Sequence, residues 1–141
     1  MYTGLRLFAK KDLKMIILAN KKFRLTANSN VRDIGTNTIF TLNQEGDLLV
    51  GKYEGGKVLH GNFLAKLVGH SAFEKHFHHY NNKGALVSGV SKGTIEVLPD
   101  GRLRLREFWN EDSKDGDAIY DEVNASHSIP QEYYFNLSLN K

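Results

Sequence analysis

Thr94-Ile95-Glu96-Val97-Leu98-Pro99-Asp100-Gly101-Arg102-Leu103-Arg104-Leu105 consists of two runs joined by a short reversal, the second alternating strictly between apolar and polar residues. Proline presets the first turn dihedral, and glycine accepts the left-handed one that follows. Side chains that alternate at period two face opposite sides of a strand, so the stretch spells an antiparallel hairpin.

The same grammar extends in both directions. Alternating runs are expected at Phe23–Ala27, Thr38–Leu42, Leu48–Glu54, Lys57–Val68, Phe73–Tyr80, Ala85–Ser91, Thr94–Leu98, Arg102–Trp109, Ala118–Val123 and Tyr133–Leu139. Glu45-Gly46, Gly55-Gly56, Lys83-Gly84, Asp100-Gly101 and Asp115-Gly116 supply reversals. These gaps are too short for helical crossovers, so neighbouring strands run antiparallel. About eight to ten strands in an open sheet would leave two long edges, and closure removes them. The expected fold is therefore all-β, an antiparallel up-and-down barrel, with a β-sandwich as its rival. A barrel of this size either fills its interior with side chains or holds one small ligand.

Composition narrows the function classes. The chain has 141 residues, no cysteine, 13 glycines and a net charge of +3 from 19 basic and 16 acidic side chains. Without cysteine there is no disulfide framework, thiol nucleophile or thiolate-bound metal, which suits a reducing cytoplasm. Met15-Ile16-Ile17-Leu18-Ala19 is too short an apolar run for an export signal, and nothing approaches the ~20 residues of a bilayer span. The basic residues are scattered rather than gathered into a stripe, so neither nucleic acid nor membrane is expected as a partner. Residues 1–14 read as a leader outside the domain, 15–123 as the barrel, and 124–141 as a tail or final strand packed on the barrel or on a second copy.

Asn20-Lys21-Lys22-Phe23-Arg24, Gly51-Lys52-Tyr53-Glu54-Gly55-Gly56, Phe77-His78-His79-Tyr80-Asn81, Pro99 to Leu105 and Glu107-Phe108-Trp109 resemble a family of small bacterial proteins with a lipocalin-like, or calycin-like, barrel. The resemblance covers about residues 15 to 123 and implies the same fold. Members often carry the label N-acetylglutamate synthase. An acyltransferase of that type needs an α/β fold and a glycine-rich loop for the pyrophosphate of acetyl-CoA. The closest glycine pairs here sit in hairpin turns, so the label does not fit and no cofactor is expected.

Two clusters are candidates for chemistry. His70, His76, His78 and His79 fall within ten positions, and on a strand His76, His78 and Tyr80 share one face while Phe77 and His79 share the other. His76 and His78 have the spacing to grip a metal, but no third ligand follows, and no metal is expected. In Arg102–Trp109, strict alternation carries Leu103 and Leu105 through Glu107 to Trp109 on one face. That would bury a carboxylate beside an indole, unless a bulge after Leu105 returns it to solvent. A buried carboxylate needs a partner, for which Arg24, an inward histidine and Tyr53 are the candidates. The serines lie in no nucleophile-elbow context, and Glu96 with Glu107 is the one carboxylate pair of note.

These residues favour a barrel that binds a small, apolar molecule, with Arg24, Tyr53, Phe63, His78, Tyr80, Leu105, Glu107 and Trp109 as candidate ligand contacts and Phe23 beside them. Two alternatives stay open. One is an enzyme in the same cavity, with Glu107, His78 and Tyr80 as acid–base groups. The other is an interaction protein forming a homodimer through its last strand.

Overall fold

The computed structural model describes residues 18–123. The expected leader, the start at Met15 and the strand at Tyr133–Leu139 lie outside the described residues. Within them are eight strands: β1 (Lys21–Asn28), β2 (Ile39–Glu45), β3 (Leu48–Gly55), β4 (Val58–Val68), β5 (Ala72–Asn81), β6 (Leu86–Val97), β7 (Leu103–Glu111) and β8 (Lys114–Glu122). Each pairs with its sequence neighbour, and β1 pairs with β8, giving a closed up-and-down barrel in which every pairing is antiparallel.

Two strand boundaries differ from the sequence expectation. Ala85–Ser91 and Thr94–Leu98 form the single strand β6, because Gly93 does not turn the chain; it sits opposite both Phe73 and Glu107 in register. Asp115-Gly116 likewise makes no turn. The β7–β8 reversal falls at Asp112, whose φ is 55°, and β8 begins before Gly116. Asp can take this left-handed conformation because its short polar side chain bonds locally. The other expected reversals are as read, with Gly46, Gly55, Gly56, Gly84 and Gly101 all at positive φ.

The interior is filled by a device that alternation alone does not announce. Five in-strand glycines each face an aromatic ring directly across the ladder: Gly51 and Phe63, Gly61 and Tyr53, Gly89 and Phe77, Gly93 and Phe73, Gly116 and Trp109. A Cβ on any of these glycines would overlap that ring. Each ring lies over the bare backbone of its neighbour, so large side chains fit inside a narrow tube. Phe40 completes the packing, with its ring centroid 4.7 Å from Tyr53 and 4.9 Å from Tyr120.

The seam between first and last strands is pinned at one end. Lys21 Nζ lies 3.0 Å from Glu122 Oε2, and the other oxygen of Glu122 accepts the Leu103 amide at 3.0 Å. Both side chains are buried, so one ion pair joins β1, β8 and β7 where the barrel closes. At the opposite end the ten residues connecting β1 to β2 fold inward over the opening, with Arg32, Ile34 and Thr38 buried and Val31 75% exposed.

Candidate functional site

Strand parity divides the sequence candidates sharply. Tyr53, Phe63, Leu105, Glu107 and Trp109 face inward, as does Phe23, and all but the half-buried Leu105 are fully buried. Arg24, His76, His78 and Tyr80 face outward and are exposed. The expectation that Arg24, His78 and Tyr80 contact an interior ligand is therefore corrected. Arg24 stands between the inward Phe23 and Leu25, and His78 and Tyr80 stand one position from the inward Phe77 and His79.

Glu107 is inside at 2% exposure, with unbroken register through β7, so no bulge returns it to solvent. Its partner is none of the three candidates but Lys75, whose Nζ lies 2.9 Å from Oε2 and 3.2 Å from Oε1. Lys75 is surrounded by rings, with Phe40, Phe63, Phe77 and Tyr120 centroids at 5.4 to 5.6 Å. Burial lowers the Lys75 pKa, against the opposing pull of Glu107. Glu96 lies on the outer wall, bonded to Arg106 at 3.1 Å, so the two carboxylates are on opposite faces.

A second buried pair lies nearer the covered end. Arg32, from the β1–β2 connection, places its guanidinium 4.2 Å from the centroid of Trp109 and 5.4 Å from that of Phe77. NH2 donates to Glu111 Oε2 at 2.9 Å and NH1 to the Tyr120 hydroxyl at 3.2 Å. Burial, with the nearby Glu107 charge, pushes the Tyr120 phenol well above its ordinary value, so it stays protonated. Trp109 is fixed in turn by Nε1 donating to Asn28 Oδ1 at 3.1 Å. Arg32 Nε and Ser91 Oγ are both buried without a hydrogen-bond partner among the described residues. Ser91 is the register partner of Lys75 on one side and Trp109 on the other.

A third group holds the connection down. Tyr53 Oη lies 2.9 Å from His79 Nδ1, and His79 Nε2 lies 2.8 Å from Asp33 Oδ2, which also accepts from Asn81 at 3.1 Å. Burial alone would raise the Asp33 pKa, but the hydrogen bonds from His79 and Asn81 outweigh it and hold the carboxyl below its usual range. Tyr53 is pushed far up by burial and keeps its proton. His79 Nε2 donates to the Asp33 carboxylate, and its Nδ1 meets the Tyr53 hydroxyl. Because Asp33 belongs to the connection and His79 to the wall, this chain of bonds acts as a latch.

The latch has a pH dependence of definite sign. A carboxyl whose pKa is lower in the folded chain adds stability that is complete above its unfolded value, near 3.8, and lost as pH falls through the folded value. Melting temperature is therefore expected to drop between about pH 5 and about pH 3, and the drop should be shallower in Asp33→Asn. Superimposable profiles for the two proteins would show that Asp33 bears no such load. Asp121, held low by its bond from Arg104, contributes in the same direction to both.

Below these groups an aromatic-lined space remains among Phe23, Phe40, Leu42, Leu49, Phe63 and Leu105, with a volume of about 20 Å³. That admits about one water and no organic ligand. Larger hollows, of about 630 and 600 Å³, lie on the outer wall between solvent-facing side chains such as His76, Phe108 and Lys52. Among the described residues no group of three or more His, Asp or Glu side chains could hold a metal ion.

The family model described as avidin-like protein matches residues 16–123. The chain belongs to the avidin-like family. An avidin-like barrel fits the calycin-like superfamily that the sequence resemblance implied, over almost the same residues. No curated protein matches, and no solved structure matches.

Sequence reasoning named His79 in the histidine cluster, on the face of Phe77, but missed Lys75 and Glu111 of this avidin-like interior as candidates, along with Arg32, Asp33 and Tyr120. Lys75 was within reach, since it lies two positions from the apolar Phe77 and so shares its face. Arg32 and Asp33 carried no such signal, because a connection has no periodicity.

Proposed function

We propose that this protein binds one small molecule inside the barrel, at the end covered by the β1–β2 connection. One observation carries this reading: the space over Trp109 is filled by Arg32, a side chain delivered by a connection and not by the wall. A wall strand cannot withdraw its side chains without giving up its ladder, whereas a connection opens at far lower free energy. Membership of the avidin-like family supports the reading, as does the strand number, since barrels of eight strands commonly hold one small ligand.

In the closed form the interior lacks the volume of an ordinary ligand pocket, at least about 300 Å³. Entry therefore requires the Asp33–His79 latch to release and Arg32 to swing out. The aromatic faces of Trp109 and Phe77 then become the apolar walls of the site, with Glu111, Tyr120 and Ser91 as its polar contacts.

Trp109 is the only tryptophan in the chain and reports directly on this space. Titration with small-molecule fractions from the host is expected to change its emission saturably, with one site per chain. In Arg32→Ala, where the resident occupant is gone, the same ligand should bind about tenfold more tightly, because the closed state no longer competes. If neither protein gives a saturable change with any fraction, the binding function is wrong.

A further inference from the structure

The contacts of Arg32 describe a ligand as well as a plug. Its guanidinium is held by three features: an aromatic face at 4.2 Å, a carboxylate oxygen at 2.9 Å and a phenol oxygen at 3.2 Å. The ring favours a flat cation lying over it. The two oxygens accept from separate nitrogens of one plane, a match for a forked donor that an ammonium cannot reproduce.

Charge balance restricts the occupant further. Among the described residues the Arg32–Glu111 pair is buried, as are Lys75 with Glu107 and Lys21 with Glu122, so each of these carboxylates already has its own counter-charge. If Arg32 leaves and nothing cationic replaces it, Glu111 remains as a buried carboxylate without its counter-charge, which is strongly unfavourable. The incoming group must therefore bring one positive charge to the same point.

We propose that the seat of Arg32 is a binding site for a small planar monocation, a guanidinium or amidinium compound, which the protein's own arginine occupies until such a ligand displaces it. This rests on the binding function proposed above and specifies its ligand class. Ser91 Oγ, buried beside Trp109 without a partner among the described residues, supplies a further acceptor for a ligand with one more N–H than Arg32 directs there.

Chemical complementation tests the class. Arg32→Ala empties the seat, and methylguanidinium, methylammonium and methylurea then compare a planar cation, a compact cation and a planar neutral molecule. Millimolar methylguanidinium is expected to raise the melting temperature of Arg32→Ala by about 5 °C or more, with little effect from the other two or on the wild type. If Arg32→Ala does not fold without an additive, the same titration reads recovery of buried Trp109 emission. The gain should disappear in Arg32→Ala/Glu111→Gln, which lacks the counter-charge.

Equal responses to all three compounds, no response to methylguanidinium, or a response undiminished by Glu111→Gln would each overturn the planar-cation site. A neutral ligand found by Trp109 titration would leave the binding function standing while this assignment falls. Rescue of Arg32→Ala without any host ligand would sustain the site and remove the function.

Discussion

Glu107→Ala is expected to cost about 3–5 kcal/mol of unfolding free energy, a large share of the ~5–15 kcal/mol that holds a domain of ordinary stability together. The loss arises less from the missing attraction than from what stays behind. Lys75 is encircled by four aromatic rings and has its bonds to Glu107 at 2.9 and 3.2 Å. Without the carboxylate its ammonium is a buried charge with no counter-charge, and it must either lose its proton or draw water into the barrel. Lys75→Ala should be comparably damaging.

The double variant Lys75→Met/Glu107→Leu separates the two possible reasons for keeping the pair. Replacing both charges with apolar groups of similar volume removes the desolvation cost together with the attraction, so stability within about 1–2 kcal/mol of wild type, or above it, is expected. Urea denaturation with a common slope is the appropriate measurement. Single substitutions that cost under ~1 kcal/mol would mean the pair is solvated, contrary to its burial. A stable double variant that no longer binds ligand would mean the pair is retained for its role in the site.

Gly61→Ala is the second large effect. The three atoms nearest to a Cβ at this position all belong to the Tyr53 ring, the closest at 2.6 Å. That ring cannot step aside: its hydroxyl is bonded to His79 and its face is stacked on Phe40. Forcing a methyl group into such packing costs about 1–3 kcal/mol, and here the displaced ring also strains the Asp33–His79 latch. Tyr53→Leu in the Gly61→Ala background should recover part of the loss, with a coupling of about 0.5–3 kcal/mol. Gly35→Ala is the control, since nothing lies within 4 Å of its Cβ position and its φ is not positive. It should be neutral or slightly stabilising. A Gly61→Ala protein as stable as wild type would show that Tyr53 has room to move and that the ring-over-glycine packing is loose.

The fold was legible because its signal is local and repeated. Strict alternation in Arg102–Trp109, with no bulge after Leu105, puts Glu107 and Trp109 on one inward face, and four of the five expected reversals have glycines at the positive φ they imply. Where the local signal was ambiguous, the boundaries shifted. Gly93 and Gly116 carry the same residue type as a turn, but each sits within a strand opposite an aromatic ring. Sequence cannot distinguish a glycine that bends the chain from one that makes space for a neighbour, because the neighbour is far away in sequence.

Period-two alternation and the spacing of reversals were enough for the antiparallel barrel, and for sorting most wall side chains into inner and outer sets, since both depend only on residues next to one another. Arg24, His78 and Tyr80, expected as ligand contacts, fall outside by the same parity once the structure sets Phe23 and Phe77 inward. Which inward groups meet was decided by closure of the tube. Lys75 finds Glu107, and Arg32 finds Trp109, Glu111 and Tyr120, only because strands distant in sequence face one another and a non-periodic connection folds in over them. A buried charge has its energy set by its partner and by exclusion of water, and neither is a property of the residue's own sequence neighbourhood.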